Sequence, residues 1–247
     1  MEILSALIAG SFIGAVLGFV GAGGAMLSVP ILMYIFDFEP KLATTAALAV
    51  VFLASLSGVI PKARNKQVLY RDAFAISGIG LITNFGFASI ARHIPDAVIT
   101  TGFSTVLFFA GLSMLRTPKL NTHKRMPVPI LIVTSLAIGS MTGLFGIGGG
   151  FLAIPVLVLF FGTPHAVAAG TSLMIIATNS LISFLGHHAL WSQVEWHIPV
   201  LMGAAAIVVA QIASHYSGKV AARKPGRYFA ILLFAVSIFT LAKTWFN

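Results

Sequence analysis

Ten apolar runs separated by short polar intervals leave this chain few ways to fold. They lie at about 3–20, 26–36, 42–60, 73–91 and 97–115, then, after a polar interval from Arg116 to Arg125, at about 128–145, 151–162, 166–186, 198–217 and 228–246. Most approach the ~20 residues with which a helix spans hydrocarbon. The runs 26–36 and 151–162 are short, and each follows a glycine cluster. Hydrophobic residues make up 58% of the chain and charged ones 9%, against roughly 25% charged in an ordinary soluble domain. A soluble core of this size has too little interior to hide so much apolar surface. Composition also excludes disorder, and a chain without cysteine has neither disulfides nor thiolate metal sites. The reading is an all-α polytopic membrane protein of eight to ten helical segments, with the lipid bilayer as its main partner.

The net charge of +9 does not indicate nucleic acid, because the basic residues lie in short clusters between apolar runs, where they act as topology signals. Lys62, Arg64, Lys66 and Arg71 occupy the loop 61–72; Arg116, Lys119, Lys124 and Arg125 the interval 116–125; Lys219, Arg223, Lys224 and Arg227 the loop 218–227. All three are expected on the cytoplasmic side. The start Met1-Glu2-Ile3-Leu4 has an acid where a cationic leader would begin, so no secretory signal is expected.

The two halves share a skeleton. A shift of 125 positions pairs Gly14, Gly18, Gly21, Gly23, Gly24, Leu27, Pro30, Leu32 and Phe36 with Gly139, Gly143, Gly146, Gly148, Gly149, Leu152, Pro155, Leu157 and Phe161. Leu48, Ser55 and Leu56 pair likewise with Leu173, Ser180 and Leu181. The chain therefore reads as a first membrane repeat, 1–115, a basic cytoplasmic linker, 116–125, and a second membrane repeat, 126–247. The counterpart of the basic loop 61–72 is 187–197, which has no Lys or Arg and carries Glu195. Corresponding loops on opposite sides imply inverted-topology repeats with an odd number of crossings each. Both termini are then outside. Whether the short segments 26–36 and 151–162 cross or re-enter stays open.

The repeated motif reads Gly21-Ala22-Gly23-Gly24-Ala25-Met26-Leu27-Ser28-Val29-Pro30 and Gly146-Ile147-Gly148-Gly149-Gly150-Phe151-Leu152-Ala153-Ile154-Pro155. Each such glycine weakens a helix by roughly 1 kcal/mol relative to alanine, and a proline suits the first turn of a new helix. Each motif is expected to end one helix and begin another within the membrane, with Pro30 and Pro155 marking the breaks. Exposed backbone at that depth must line a polar cavity or be buried in protein. The free N–H groups of a new helix start suit an anion, and two inverted copies would meet near the midplane. Gly10, Gly14, Gly18, Gly139 and Gly143 instead have the four-residue spacing of close helix packing. No strand–helix unit surrounds the glycines, which excludes a dinucleotide fingerprint.

The doubled G-x-G-G-[GA]-x-[ML]-x-x-P pattern, the later Thr171-Ser172-Leu173 and the inverted halves resemble the sulfite exporter TauE/SafE family of bacterial permeases, over essentially the whole chain. The first half departs from the pattern, with Thr45-Ala46-Ala47 opposite Gly170-Thr171-Ser172 and Ala25 opposite the last glycine. The resemblance implies a secondary transporter, by its name an exporter, in the bacterial inner membrane. Its substrate would be a small sulfur-containing anion such as sulfite or an organosulfonate, moved by alternating access.

The residues expected to bind it are Gly21, Gly23, Gly24, Gly146, Gly148, Gly149 and Gly150 through backbone N–H groups, with Thr44, Thr45, Thr171, Ser172, Asn179 and Ser180 as side-chain donors. Thr83-Asn84 and the group Thr100, Thr101, Ser104 and Thr105 are weaker candidates. All six acids lie near segment ends. Cation carriers generally need an intramembrane carboxylate, so an anion is favoured. Lys62 and Arg64 read as topology signals or a charged mouth, and His215 with Gln211 as a helix-packing pair. No cofactor and no metal site is expected, since His187, His188 and His197 have no carboxylate or cysteine beside them. A homodimer is compatible with the sequence. The competing readings are a non-transporting assembly or anchor protein and a transition-metal cation permease. An intramembrane enzyme lacks any nucleophile–base constellation, and no nucleotide-binding motif supports ATP-driven transport.

Overall fold

The computed structural model describes residues 2–91, 94–115, 128–145, 153–154, 156–158, 162–217 and 223–246. The linker 116–125, the four second-half candidate glycines Gly146, Gly148, Gly149 and Gly150, Pro155 and Lys219 lie outside the described residues. The helices are α1 Glu2–Val20, α2 Gly24–Ile35, α3 Pro40–Arg64, α4 Tyr70–Ala91, α5 Asp96–Leu115, α6 Val128–Phe145, α7 His165–Gly186, α8 His197–Ser217 and α9 Arg223–Phe246. A 3₁₀ turn, His188–Gln193, joins α7 to α8, residues 153–154 and 156–158 are also helical, and no strand occurs among the described residues. By length and apolarity α1, α3, α7 and α8 can each cross a membrane. The 25 residues of α3 reach about 37 Å at 1.5 Å per residue.

The distribution of side chains suits a lipid solvent. Large apolar groups such as Ile8, Phe12, Ile82, Phe85, Val133, Val208 and Phe239 face outward, Ile82 being 74% exposed. The interior holds small and hydroxylic residues, among them Ser28, Ser55, Ser104, Thr171 and Ser237. With no hydrophobic drive between helices in lipid, close packing of small residues and interhelical hydrogen bonds must hold them together. Gly10, Gly14 and Gly18 lay α1 against the backbone of Met202, Ala206 and Ala210 on α8. A Cβ on Gly14 would stand 2.6 Å from the Ala206 carbonyl oxygen. Gly139 of α6 meets Gly80 of α4 just as closely, and Thr83 Oγ1 donates to the Leu136 carbonyl, 3.0 Å. The packing role expected of Gly10, Gly14, Gly18 and Gly139 is the one observed.

Two directions follow from these contacts. Gly10, Gly14 and Gly18 meet α8 in ascending order, so α1 and α8 run parallel. Leu53 meets Gly203, Ser57 Oγ donates to the Ile207 carbonyl, and Lys62 reaches Ser217, so α3 is parallel to α8 as well. Conversely, Thr45 meets His187 while Gly58 meets Leu173 and Lys62 meets Gly170, which makes α3 and α7 antiparallel. Helices α5 and α9 are antiparallel too: Thr101 bonds Trp245, Ser104 bonds Thr240, and Gly111 abuts Phe234.

Because α1 and α3 point the same way, the segment between them must return the chain from one end of the bundle to the other. Gly24 packs on Leu17 and Ile13, folding α2 back along α1. The 12 residues of α2 rise about 18 Å, and residues 36–39 add up to about 13 Å, close to the ~30 Å of a hydrocarbon core. The open question about 26–36 is answered as a traverse of the bundle. Two boundaries also change. Arg223, Lys224 and Arg227 belong to the first turns of α9 rather than to a loop, and Lys62 and Arg64 to the last turn of α3.

Candidate functional site

The first glycine motif breaks the chain at the residues expected but at one end of the bundle rather than near its middle, by a mechanism glycine alone supports. Gly21 and Gly23 have φ of +81° and +92°, left-handed values that strain residues with a Cβ. The Gly21 N–H still donates to the Leu17 carbonyl, 2.8 Å, closing α1. Gly23 is the N-cap of α2 and supplies no side-chain cap, so the opening N–H groups of α2 face a buried environment uncapped from that position. Gly21 has no room for a Cβ, which would stand 2.5 Å from Ala169 Cα on α7. Pro30 departs from expectation: it lies inside α2, in the second turn, not at its start. The break is made by the glycines, and Pro30 only deletes one donor from the helical ladder.

The hydroxyl and amide candidates separate into three levels along α3 and α7. At one end Thr45, fully buried, bonds the Lys41 carbonyl and His187 Nδ1, 2.9 Å each, while Thr44 bonds back to the Pro40 carbonyl. At the other end Thr171 Oγ1 donates to the Val167 carbonyl, 2.7 Å, and accepts from the Leu69 N–H, 3.1 Å, pinning the α3–α4 turn onto α7. Ser172 is buried beside it, and Gly21 packs at this level against Ala169. Asn179 and Ser180 occupy the middle, between the Leu173–Gly58 and His187–Thr45 contacts. They are 5% and 0% exposed, and neither Asn179 Oδ1 nor Ser180 Oγ has a hydrogen-bond partner among the described residues. Ser55, the first-half counterpart of Ser180, is spent on the Val51 carbonyl, 2.6 Å, and Asn179 has Ala54 as its counterpart.

The first helix break and the mid-bundle pair are therefore not one cluster. Ala169 and Asn179 are ten residues apart on α7, about 15 Å along the helix. The weaker candidates have structural roles. Thr83 ties α4 to α6, Ser104 ties α5 to α9 through Thr240 and Ser237, and Thr105 bonds back to Thr101. His215 and Gln211 are exposed and line an open cleft of about 460 Å³ with Pro61, Arg64, Asn65 and Tyr216, so they are not a packing pair. Trp191 and Trp196 are half-buried and fasten the α7–α8 connection, Trp191 stacking on Phe184 at 4.6 Å.

One residue was misjudged from sequence. Lys62 is not a surface topology charge: it is 1% exposed, and its ammonium donates to Ser217 Oγ, 2.5 Å. Its place in a basic loop pointed to solvent. The available signal was its register in α3, where it falls four residues after the buried Gly58 and seven after the buried Ser55.

The sequence pattern of the sulfite exporter TauE/SafE family matches residues 6–240. The chain belongs to that family. A probable membrane transporter protein of Xylella fastidiosa is 28% identical over 245 residues, covering 96% of this chain and 94% of that one. A probable membrane transporter protein of Methanocaldococcus jannaschii is 27% identical over 190 residues, 72% of this chain and 71% of that one. One of Bacillus subtilis is 25% identical over 217 residues, 76% and 78%. This TauE/SafE member is thus a multi-pass membrane transporter, and its outward apolar faces suit the bilayer.

Proposed function

We propose that this transporter moves a small sulfur-containing anion such as sulfite or an organosulfonate between two inverted repeats. The observation that carries this is the pair Asn179 and Ser180: two adjacent polar side chains, buried mid-bundle, with unfilled hydrogen-bond capacity. Such atoms are costly to bury unless a ligand or water fills them. Amide rotation lets Asn179 present either a donor or an acceptor at that position. Neutral donors receive an oxyanion without the desolvation cost of a fixed charge, and the first N–H groups of α2 add a second anion-favouring element nearer one end. The second-half glycines Gly146, Gly148, Gly149 and Gly150 would supply the equivalent, and Thr171 and Ser172 line the approach.

The inverted reading is supported by direction. The sequence counterparts α3 and α7 run antiparallel, as do α5 and α9. Exchanging the halves also converts the α1–α8 contact into α6–α4 and the α3–α8 contact into α7–α4. Alternating access would then come from rocking one repeat against the other. The basic end that carries Lys62 faces the cytoplasm of the bacterial inner membrane, and both termini face out. Export is the direction the family's name favours.

Transport of radiolabelled sulfite, sulfoacetate, sulfate and nickel into proteoliposomes tests this. The expected result is saturable flux of a sulfur anion without ATP, lost in Asn179→Leu. Nickel flux alone, or no flux of any anion, would overturn the proposal.

A further inference from the structure

We propose that Lys62 is an anion-binding station at the cytoplasmic end of the path, holding a sulfur oxyanion where the ends of α3 and α8 meet the second turn of α7. The inference rests on the anion-transport reading. An ammonium has three N–H donors, and among the described residues that of Lys62 has one neutral partner, Ser217 Oγ, and no carboxylate. An ionisable side chain sealed inside a membrane bundle is expensive unless a counter-charge joins it, and such residues mark substrate paths. Ser217 is the last residue of α8, so the carbonyl end of that helix helps seat the cation. A helix end offers only about half an elementary charge and leaves donors open for a real anion.

The surroundings favour one. Gly170 lets the α3–α4 turn lie directly on α7, with Lys62 Cβ 3.1 Å from where a Gly170 Cβ would be and the Gln67 carbonyl closer still. The Gln67 N–H bonds the Lys62 carbonyl, 2.9 Å, which fixes the turn against Gly170. The preceding α7 residue, Ala169, carries Gly21 of the helix break. Lys62 and Gly21, three residues ahead of α2, thus pack on consecutive residues of one helix turn. The 460 Å³ cleft lined by Pro61, Arg64, Gln211 and His215 lies at the same end of α3 and α8 and carries a further basic side chain.

The shift of 125 positions carries Lys62 to His187 and Gly170 to Thr45. At the opposite end, then, an imidazole bonded to a hydroxyl, 2.9 Å, stands where Lys62 lays its Cβ against glycine and sends its ammonium to Ser217. The two ends are chemically unequal, and the amine belongs to the cytoplasmic one.

Sulfite uptake into inside-out and right-side-out membrane vesicles decides this. In Lys62→Met the KM measured from the cytoplasmic face rises by about tenfold or more, while the KM from the outer face changes by less than about threefold. Lys62→Arg, which keeps the cation, restores most of the cytoplasmic affinity. Lys62→Gln keeps a donor for Ser217 and replaces methionine if that variant does not fold. A neutral variant with unchanged cytoplasmic KM, or one that raises both KM values equally, overturns the station while leaving anion transport intact. Absence of sulfite and sulfoacetate uptake by the unaltered protein overturns the transport reading itself.

Discussion

Asn179 and Gly21 make opposite demands on a substitution, and the difference separates function from folding. Asn179→Leu replaces an amide whose Oδ1 has no partner among the described residues with an apolar group of similar size. The fold should persist, with a thermal midpoint within a few degrees of the parent, while anion flux falls by about tenfold or more. Gly21→Ala forces a Cβ into a left-handed backbone and onto Ala169. The conformation alone costs about 1–2 kcal/mol, so the midpoint should drop clearly. Gly78→Ala is the control: nothing lies within 4 Å of its Cβ position on α4, and helix propensity predicts a gain of up to about 1 kcal/mol. A thermal melt of the three in one detergent checks the order. At this scale the helix break was legible, since clustered glycines weaken a helix, whereas the left-handed φ at Gly21 and Gly23 came from the structure. The burial of Lys62 was not, because a basic loop and a buried last turn of helix look alike until α7 and α8 are in place.

Between elements, two glycine seams hold the bundle. Gly14→Leu and Gly139→Leu would each push apart a pair of helices whose backbones touch, with overpacking costs of about 1–3 kcal/mol apiece. The two effects should be similar in size, because the residues are sequence counterparts on counterpart seams. Ser57→Ala and Ser214→Ala each remove one interhelical hydrogen bond between α3 and α8, worth about 0.6 kcal/mol. Equilibrium unfolding in detergent–denaturant mixtures should rank both leucine variants well below both alanine variants. Small-residue spacing revealed which faces pack. It carried no information on which partner they choose, since Gly14 would suit any helix with small residues four apart.

For the whole molecule, topology is the testable quantity, and the absence of cysteine makes single-cysteine labelling clean. Cysteines at Lys66, Asp37 and Gln193 all replace exposed residues. A membrane-impermeant maleimide on intact cells should label positions 37 and 193, and position 66 only after permeabilisation. Labelling of 37 together with 66 would mean that α2 re-enters rather than crosses. Co-labelling of 66 and 193 would contradict the inverted arrangement.

The amino-acid sequence by itself determined the solvent, the helices and the repeated skeleton. Hydrocarbon demands long apolar runs with internally satisfied backbone, and only glycine provides the backbone freedom found at 21 and 23. The tertiary structure decided that α2 traverses the bundle, that α3 and α7 cross antiparallel, that Asn179 and Ser180 sit at mid-bundle with unfilled polar atoms, and that Lys62 is enclosed. Each of these depends on contacts between residues more than a hundred positions apart. Periodicity along one helix names its buried face, but only the neighbouring helices determine whether a polar group on that face finds a partner.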